Sequence, residues 1–238
     1  MHNLGTDSAE ADAAAQVPDV FERALAGLAA VALRPELDRE LLPAPRRLAS
    51  YSYAESVAVL SGGGSAAPGA EAEEIGSGRF VLLYEPDGHP EWQGVFRCVT
   101  LIQVDLETEI AEDRLLPEVA WSWLTEAFEQ RGARFAALGG TVSQCASTKF
   151  GDLAQHDPDE HPATAAPEPI EHSLELRASW TPLVRAGQGG QGGRAVSAED
   201  AFSAIPAHFQ AWNDLLTAAA GLPPVLAGVS ALPGGQRH

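Results

Sequence analysis

The chain has 238 residues and is 45% hydrophobic, which supplies enough apolar side chain for a sizeable core and excludes global disorder. Asp and Glu number 33 against 15 Lys and Arg, a net charge of −18 that repels phosphate backbones and anionic lipid. Nucleic-acid and membrane partners are therefore not expected, and without a leader pattern or an apolar run near ~20 residues the chain reads as cytoplasmic.

Residues 1–16 are polar, Ala-rich and aperiodic, and are expected to form a disordered tail. A helix should start at Pro18, a residue suited to a first helical position, and carry Phe21, Leu25, Leu28 and Ala32 as an apolar stripe. Pro35 ends it. A Pro-containing extended stretch then leads into a strand with Tyr51, Tyr53, Val57 and Val59 on one face and Glu55 as the exception. Residues 61–78 read as a flexible acidic linker, and 79–85, RFVLLYE, as a second strand. Asp87-Gly88 is the expected tip of the next turn. A long third strand alternates Phe96, Cys98, Ile102, Val104 and Leu106 on one side, which places Cys98 in the core.

A second helix is expected from Pro117 to Gly132. At about 100° per residue counted from Val119, Trp123, Ala127, Ala120, Leu124, Phe128 and Trp121 share an arc of about 160°, with the two tryptophans at its flanks. A strand should lie within 133–150, followed by a long acidic loop over 151–171. HSLELRASW, 172–180, is the clearest strand: Leu174, Leu176, Ala178 and Trp180 point in; Glu175, Arg177 and Ser179 point out. Residues 185–196 read as flexible. A last helix opens at Ser197, is kinked or restarted by Pro206, and bears Phe209, Trp212, Leu216 and Ala219. Gly221, Pro223 and Pro224 stop it, and 227–238 form a tail.

The expected fold is one α+β domain over 17–226, with an antiparallel or mixed five-stranded sheet and helices on one face. Its element order is helix-β-β-β-helix-β-β-helix.

Candidate sites are few. Gly187, Gly189 and Gly192 spell G-x-G-x-x-G, but outside the tight strand-to-helix turn that phosphate binding requires. His156, Asp157, Asp159, Glu160 and His161 crowd one Pro-flanked loop, with no helix to set ligand geometry, so no metal is expected. Cys98 and Cys145 lie outside any CxxC, so neither a disulfide framework nor a zinc site is expected. No G-x-S-x-G elbow or HExxH helix occurs, and no cofactor is expected. Arg47, Arg97 and Arg177, near or within strands, are the candidate anion site; for Arg177 the bland reading is a surface ion pair. Trp121 and Trp123 are read first as core. If one indole is exposed, it is the candidate partner surface.

The stretches LRPE, PAPRRLASYSYA, GRFVLLYEPDG, LLPEVAWSWL, GGTV, RASWTP and AGLPP together resemble the actinobacterial domain-of-unknown-function family numbered three thousand, over roughly residues 18–226. That resemblance implies a bacterial cytoplasmic protein and brings no activity with it. The element order is also loosely similar to that of type III secretion chaperone-like domains, an analogy of order alone. The function expected is a non-catalytic protein-interaction or adaptor domain, with a protein partner or a second copy as ligand. The alternative is an enzyme or anionic-metabolite binder with dispersed site residues.

Overall fold

The computed structural model describes residues 17–61, 72–150, 170–184 and 201–223. The elements run α1 (Asp19–Ala29), β1 (Leu37–Leu42), β2 (Tyr51–Leu60), β3 (Glu74–His89), β4 (Gly94–Leu106), α2 (Thr108–Ala111), α3 (Leu116–Arg131), β5 (Arg134–Ser147), β6 (Glu171–Leu183), a 3₁₀ turn (Phe202–Ala204) and α4 (Ile205–Ala219). The six strands form one open sheet in the order β1-β2-β3-β4-β6-β5. Every neighbouring pair is antiparallel. The fold is thus α+β, as expected, but the sheet has six strands rather than five.

The strand that sequence reading missed is β1. Its residues, LDRELL, pair with β2 from Leu37 opposite Val59 to Leu42 opposite Ala54. It is a short, charged edge strand, and charge on an edge discourages pairing with other chains. Several boundaries also move. α1 ends at Ala29, so Ala32 lies beyond the helix and Pro35 is not what stops it. β3 begins at Glu74, inside the span read as linker. Its hairpin closes with His89 opposite Gly94, so the tip is Pro90–Gln93 and not Asp87-Gly88. Gly88, at φ 76°, instead sits in the irregular stretch where the β3–β4 register shifts.

One face of the sheet carries the core. Phe80, Leu82, Cys98, Ile102, Leu174, Leu176 and Trp180 are buried there, as the alternation in β4 and β6 required. Helices α1, α3 and α4 pack on this face. Phe21 of α1 stacks on Tyr84, Phe128 of α3 meets Trp180 edge-on, and Phe209 and Trp212 of α4 flank Phe80. Gly78 leaves room for α4: a Cβ there would come within 2.6 Å of the Trp212 ring. Arg131 and Asp214 bind α3 to α4 through two hydrogen bonds of 2.5 and 2.8 Å. Gly132, at φ 60°, ends α3 in the left-handed conformation that glycine adopts at helix C-termini.

Most polar groups inside this core are paired. Glu55 is fully buried, bound by Arg39 and by the Tyr53 hydroxyl at 2.6 Å. Arg39 also donates to the Leu28 carbonyl and lies 4.7 Å over the Phe209 ring, so one cation ties β1, β2, α1 and α4 together. Burial and the Glu55 hydrogen bond push the Tyr53 phenol up, which keeps it a donor. Trp212 Nε1 donates to Thr100 Oγ1, and Thr100 donates in turn to the Arg79 carbonyl.

Candidate functional site

The opposite face of the sheet carries Arg79, Arg97 and Arg177. Because side chains alternate along each strand, the neighbours of the core residues point outward here. The register sets them in rows. Arg79 of β3 lies opposite Leu101 of β4, Leu101 opposite Arg177 of β6, and Arg177 opposite Thr141 of β5. The adjacent row runs Ala54, Val81, Val99, Ser179, Gly139.

These two rows form a groove of about 440 Å³. Val81, Val99 and Leu101 are its apolar floor, and the exposed Arg79 and Arg177 stand on either side of Leu101. The Arg177 side chain is 63% exposed and its Nε lies 2.9 Å from Glu175. Arg79 has no carboxylate partner among the described residues. Within a chain of net charge −18, the groove is a locally basic, apolar surface.

The three arginines of the expected anion site are not gathered into one pocket. Arg97 and Arg177 share the open face, on adjacent strands. Arg97, however, is half-buried and engaged: its guanidinium donates to Ser179 Oγ at 2.7 Å, to Ala137 O at 2.8 Å and to Thr181 Oγ1 at 3.3 Å. Burial lowers its pKa from the ordinary arginine value. Its function is positional. The β5–β6 register slips between Ala136 and Gly139, with Ala137 at φ 48°, and Arg97 reaches across β6 to hold that bulge's carbonyl. Arg47 lies at φ 68° in the exposed β1–β2 connection and does not line the groove.

The two tryptophans flank α3 as the helical wheel requires. Both are half-buried against the core. Trp121 lies over Gly140 of β5, where a Cβ would come within 2.9 Å of the indole. Trp123, on the other flank, lines a cleft against the α1–β1 connection and the end of α4.

Among the described residues no histidine lines either place. His208 is fully buried on α4; its Nδ1 accepts from Trp180 Nε1 at 3.1 Å and its Nε2 donates to the Arg134 carbonyl at 3.0 Å. Those two bonds fix the tautomer, and burial pushes the ring's pKa down to about 4. Among the described residues no group of three or more His, Cys, Asp or Glu is placed to hold a metal. The 156–161 cluster and the glycines at 187–192 lie outside the described residues.

Sequence reading missed Arg79 and the outward apolar residues. The available signal was the near-continuous apolar character of β3 and β4. Strands that alternate cleanly face water on one side, whereas runs such as FVLLY and VFRCVTLIQV have apolar residues for both faces.

No helix among the described residues is long and apolar enough to cross a membrane. No curated protein and no solved structure matches the chain. Residues 17–230, by contrast, match a family described as a protein of unknown function, DUF3000, and on that extent the chain belongs to this family.

Proposed function

We propose that this is a non-catalytic, cytoplasmic protein-interaction domain whose open sheet face receives a partner segment bearing apolar and acidic side chains. The observation that carries this reading is the apolar floor of Val81, Val99 and Leu101 between two exposed arginines. Exposed apolar patches rimmed by polar groups are characteristic of interaction surfaces. The groove is formed by a flat sheet rather than a deep pocket, which suits a protein surface more than a small ligand needing near-complete enclosure. With β1 and the single-turn α2 set aside, the elements follow the order helix-β-β-β-helix-β-β-helix. That order is also found in type III secretion chaperone-like domains, an analogy that supports binding of protein segments and nothing finer.

The test is crosslinking and affinity capture with the full chain, repeated with Leu101→Asp and Arg177→Glu. A stoichiometric partner, or a second copy, that binds the wild type and is lost from both variants is expected. A strictly monomeric protein that captures nothing would overturn the reading.

A second reading, binding of an anionic metabolite, is favoured by one observation: Arg79 and Arg177 face the same groove, with Arg79 unpaired among the described residues. A thermal-shift screen of di- and tricarboxylates separates the two, because only this reading expects a shift that Arg79→Ala abolishes.

A further inference from the structure

A second concavity lies on the helical side, away from the open face. Trp123, Ala127 and Arg131 of α3, Asp214 and Ala218 of α4, and Leu33 of the α1–β1 connection border a cleft of about 640 Å³. Adjoining it is a recess of about 60 Å³ that shares Leu33, Arg34, Arg131 and Asp214 with the larger space and is also lined by Asn213 and Gln210. A recess of that size admits one small polar group.

Asn213 gives the recess its chemistry. The residue is 6% exposed. Its Nδ2 donates to the Phe209 carbonyl at 2.8 Å, which fixes the orientation of the amide. The carbonyl oxygen, Oδ1, is buried and has no hydrogen-bond partner among the described residues. A buried acceptor left unpaired destabilises the fold unless a donor meets it.

The two guanidinium groups nearby are already engaged. Arg34 binds Glu36 through two bonds of 2.9 and 3.3 Å and the Pro223 carbonyl at 2.9 Å. Arg131 is held bidentately by Asp214. Besides the side-chain amides of Gln130 and Gln210, the cleft and its recess offer a ligand two acceptors, Asn213 Oδ1 and the exposed Glu126 carboxylate. The cleft adds the indole of Trp123 with Leu33 and Leu222 as an apolar wall. The net charge of −18 favours cations at long range, and an indole face attracts an ammonium or amidinium group.

We propose that this cleft binds a small amine, its apolar or aromatic body against Trp123 and its N–H donors directed to Asn213 Oδ1. The site is separate from the open sheet face and does not depend on what that face binds.

The experiment titrates the ¹⁵N-labelled full chain with benzamidine and with phenethylamine. 3-Phenylpropionate and toluene serve as anionic and donor-free controls. Both amine probes should shift the Asn213 side-chain amide and the Trp123 indole resonance saturably, and the controls should not. Asn213→Ala should weaken binding about tenfold or more, the loss expected for a hydrogen bond to a charged group. If Asn213→Ala fails to fold, Trp123→Leu is the deciding variant and should also weaken both probes. Three outcomes overturn the proposal: no saturable shift with either amine at millimolar concentration, equal response to a control, or binding that survives the variants.

Discussion

Arg39 and Glu55 form an ion pair inside the core, with Nε to Oε2 at 2.9 Å and Nη2 to Oε1 at 3.0 Å. The carboxylate is fully buried while the arginine side chain keeps 24% of its exposure. Glu55 is the one charged residue on the inward face of β2, and its partner comes from the edge strand β1. Removing one member leaves a buried charge without its counter-charge, at a cost of about 3–5 kcal/mol. Glu55→Leu should therefore destabilise by about that much in urea unfolding, and Arg39→Met with Glu55→Leu should recover most of it. A double variant no more stable than Glu55→Leu alone would show that Arg39 contributes by packing on Phe209 and not through the pair.

His208 makes stability depend on pH in a defined direction. Its folded pKa lies at about 4, below the unfolded value of 6.5, because burial disfavours the imidazolium. The unfolded chain binds the proton first, so this group's contribution is complete above pH 6.5 and is lost as pH falls toward 4. The loss amounts to about 3 kcal/mol across that window. Glu36, whose pKa is lowered from 4.5 by its Arg34 hydrogen bond, loses its contribution only at lower pH. Urea unfolding between pH 4.5 and 6.5 should thus show a positive slope that His208→Gln flattens. An unchanged slope in that variant would mean that other groups carry the acid sensitivity.

Much of the fold was legible because burial imposed a period. Leu174, Leu176, Ala178 and Trp180 alternate as a half-buried strand must, and the α3 wheel placed Trp121 and Trp123 on opposite flanks of one apolar face. β1 was illegible for the same reason. Leu37 and Arg39 are its inward residues, so its period appears only if an arginine counts as core, and that becomes sensible only with Glu55 diagonally across on β2 as its counter-charge. The groove was hidden by topology. Arg79 and Arg177 share a row because β6 inserts between β4 and β5, a strand order that no local pattern encodes.

Two adjacent glycines in β5 should respond oppositely to substitution. A Cβ on Gly140 would come within 2.2 Å of the Arg177 carbonyl oxygen and 2.9 Å of the Trp121 ring, and the first of these is backbone that cannot yield cheaply. A Cβ on Gly139, pointing to the open face, meets nothing within 4 Å. Gly140→Ala should cost about 1–3 kcal/mol through overpacking, and Gly139→Ala should stay within about 0.5 kcal/mol of wild type. Comparable losses in both variants would place the β5–β6 register elsewhere.

The two cysteines test the orientation of the sheet most directly. Cys98 lies on the core face of β4, fully buried, and burial pushes its thiol pKa up; Cys145, near the end of β5, is exposed. The thiolate is the reactive species, so Cys98 lacks both access and ionisation. With a disulfide reagent at neutral pH, one thiol per native chain should react quickly. The second should be slower by about 10³-fold or more, since it must wait for unfolding. Denaturant should make the two equivalent, and Cys145→Ser should remove the fast phase and leave the slow one. Two fast thiols in the native protein would contradict the inward placement of Cys98, and with it the assignment of the β4 face on which α4 packs.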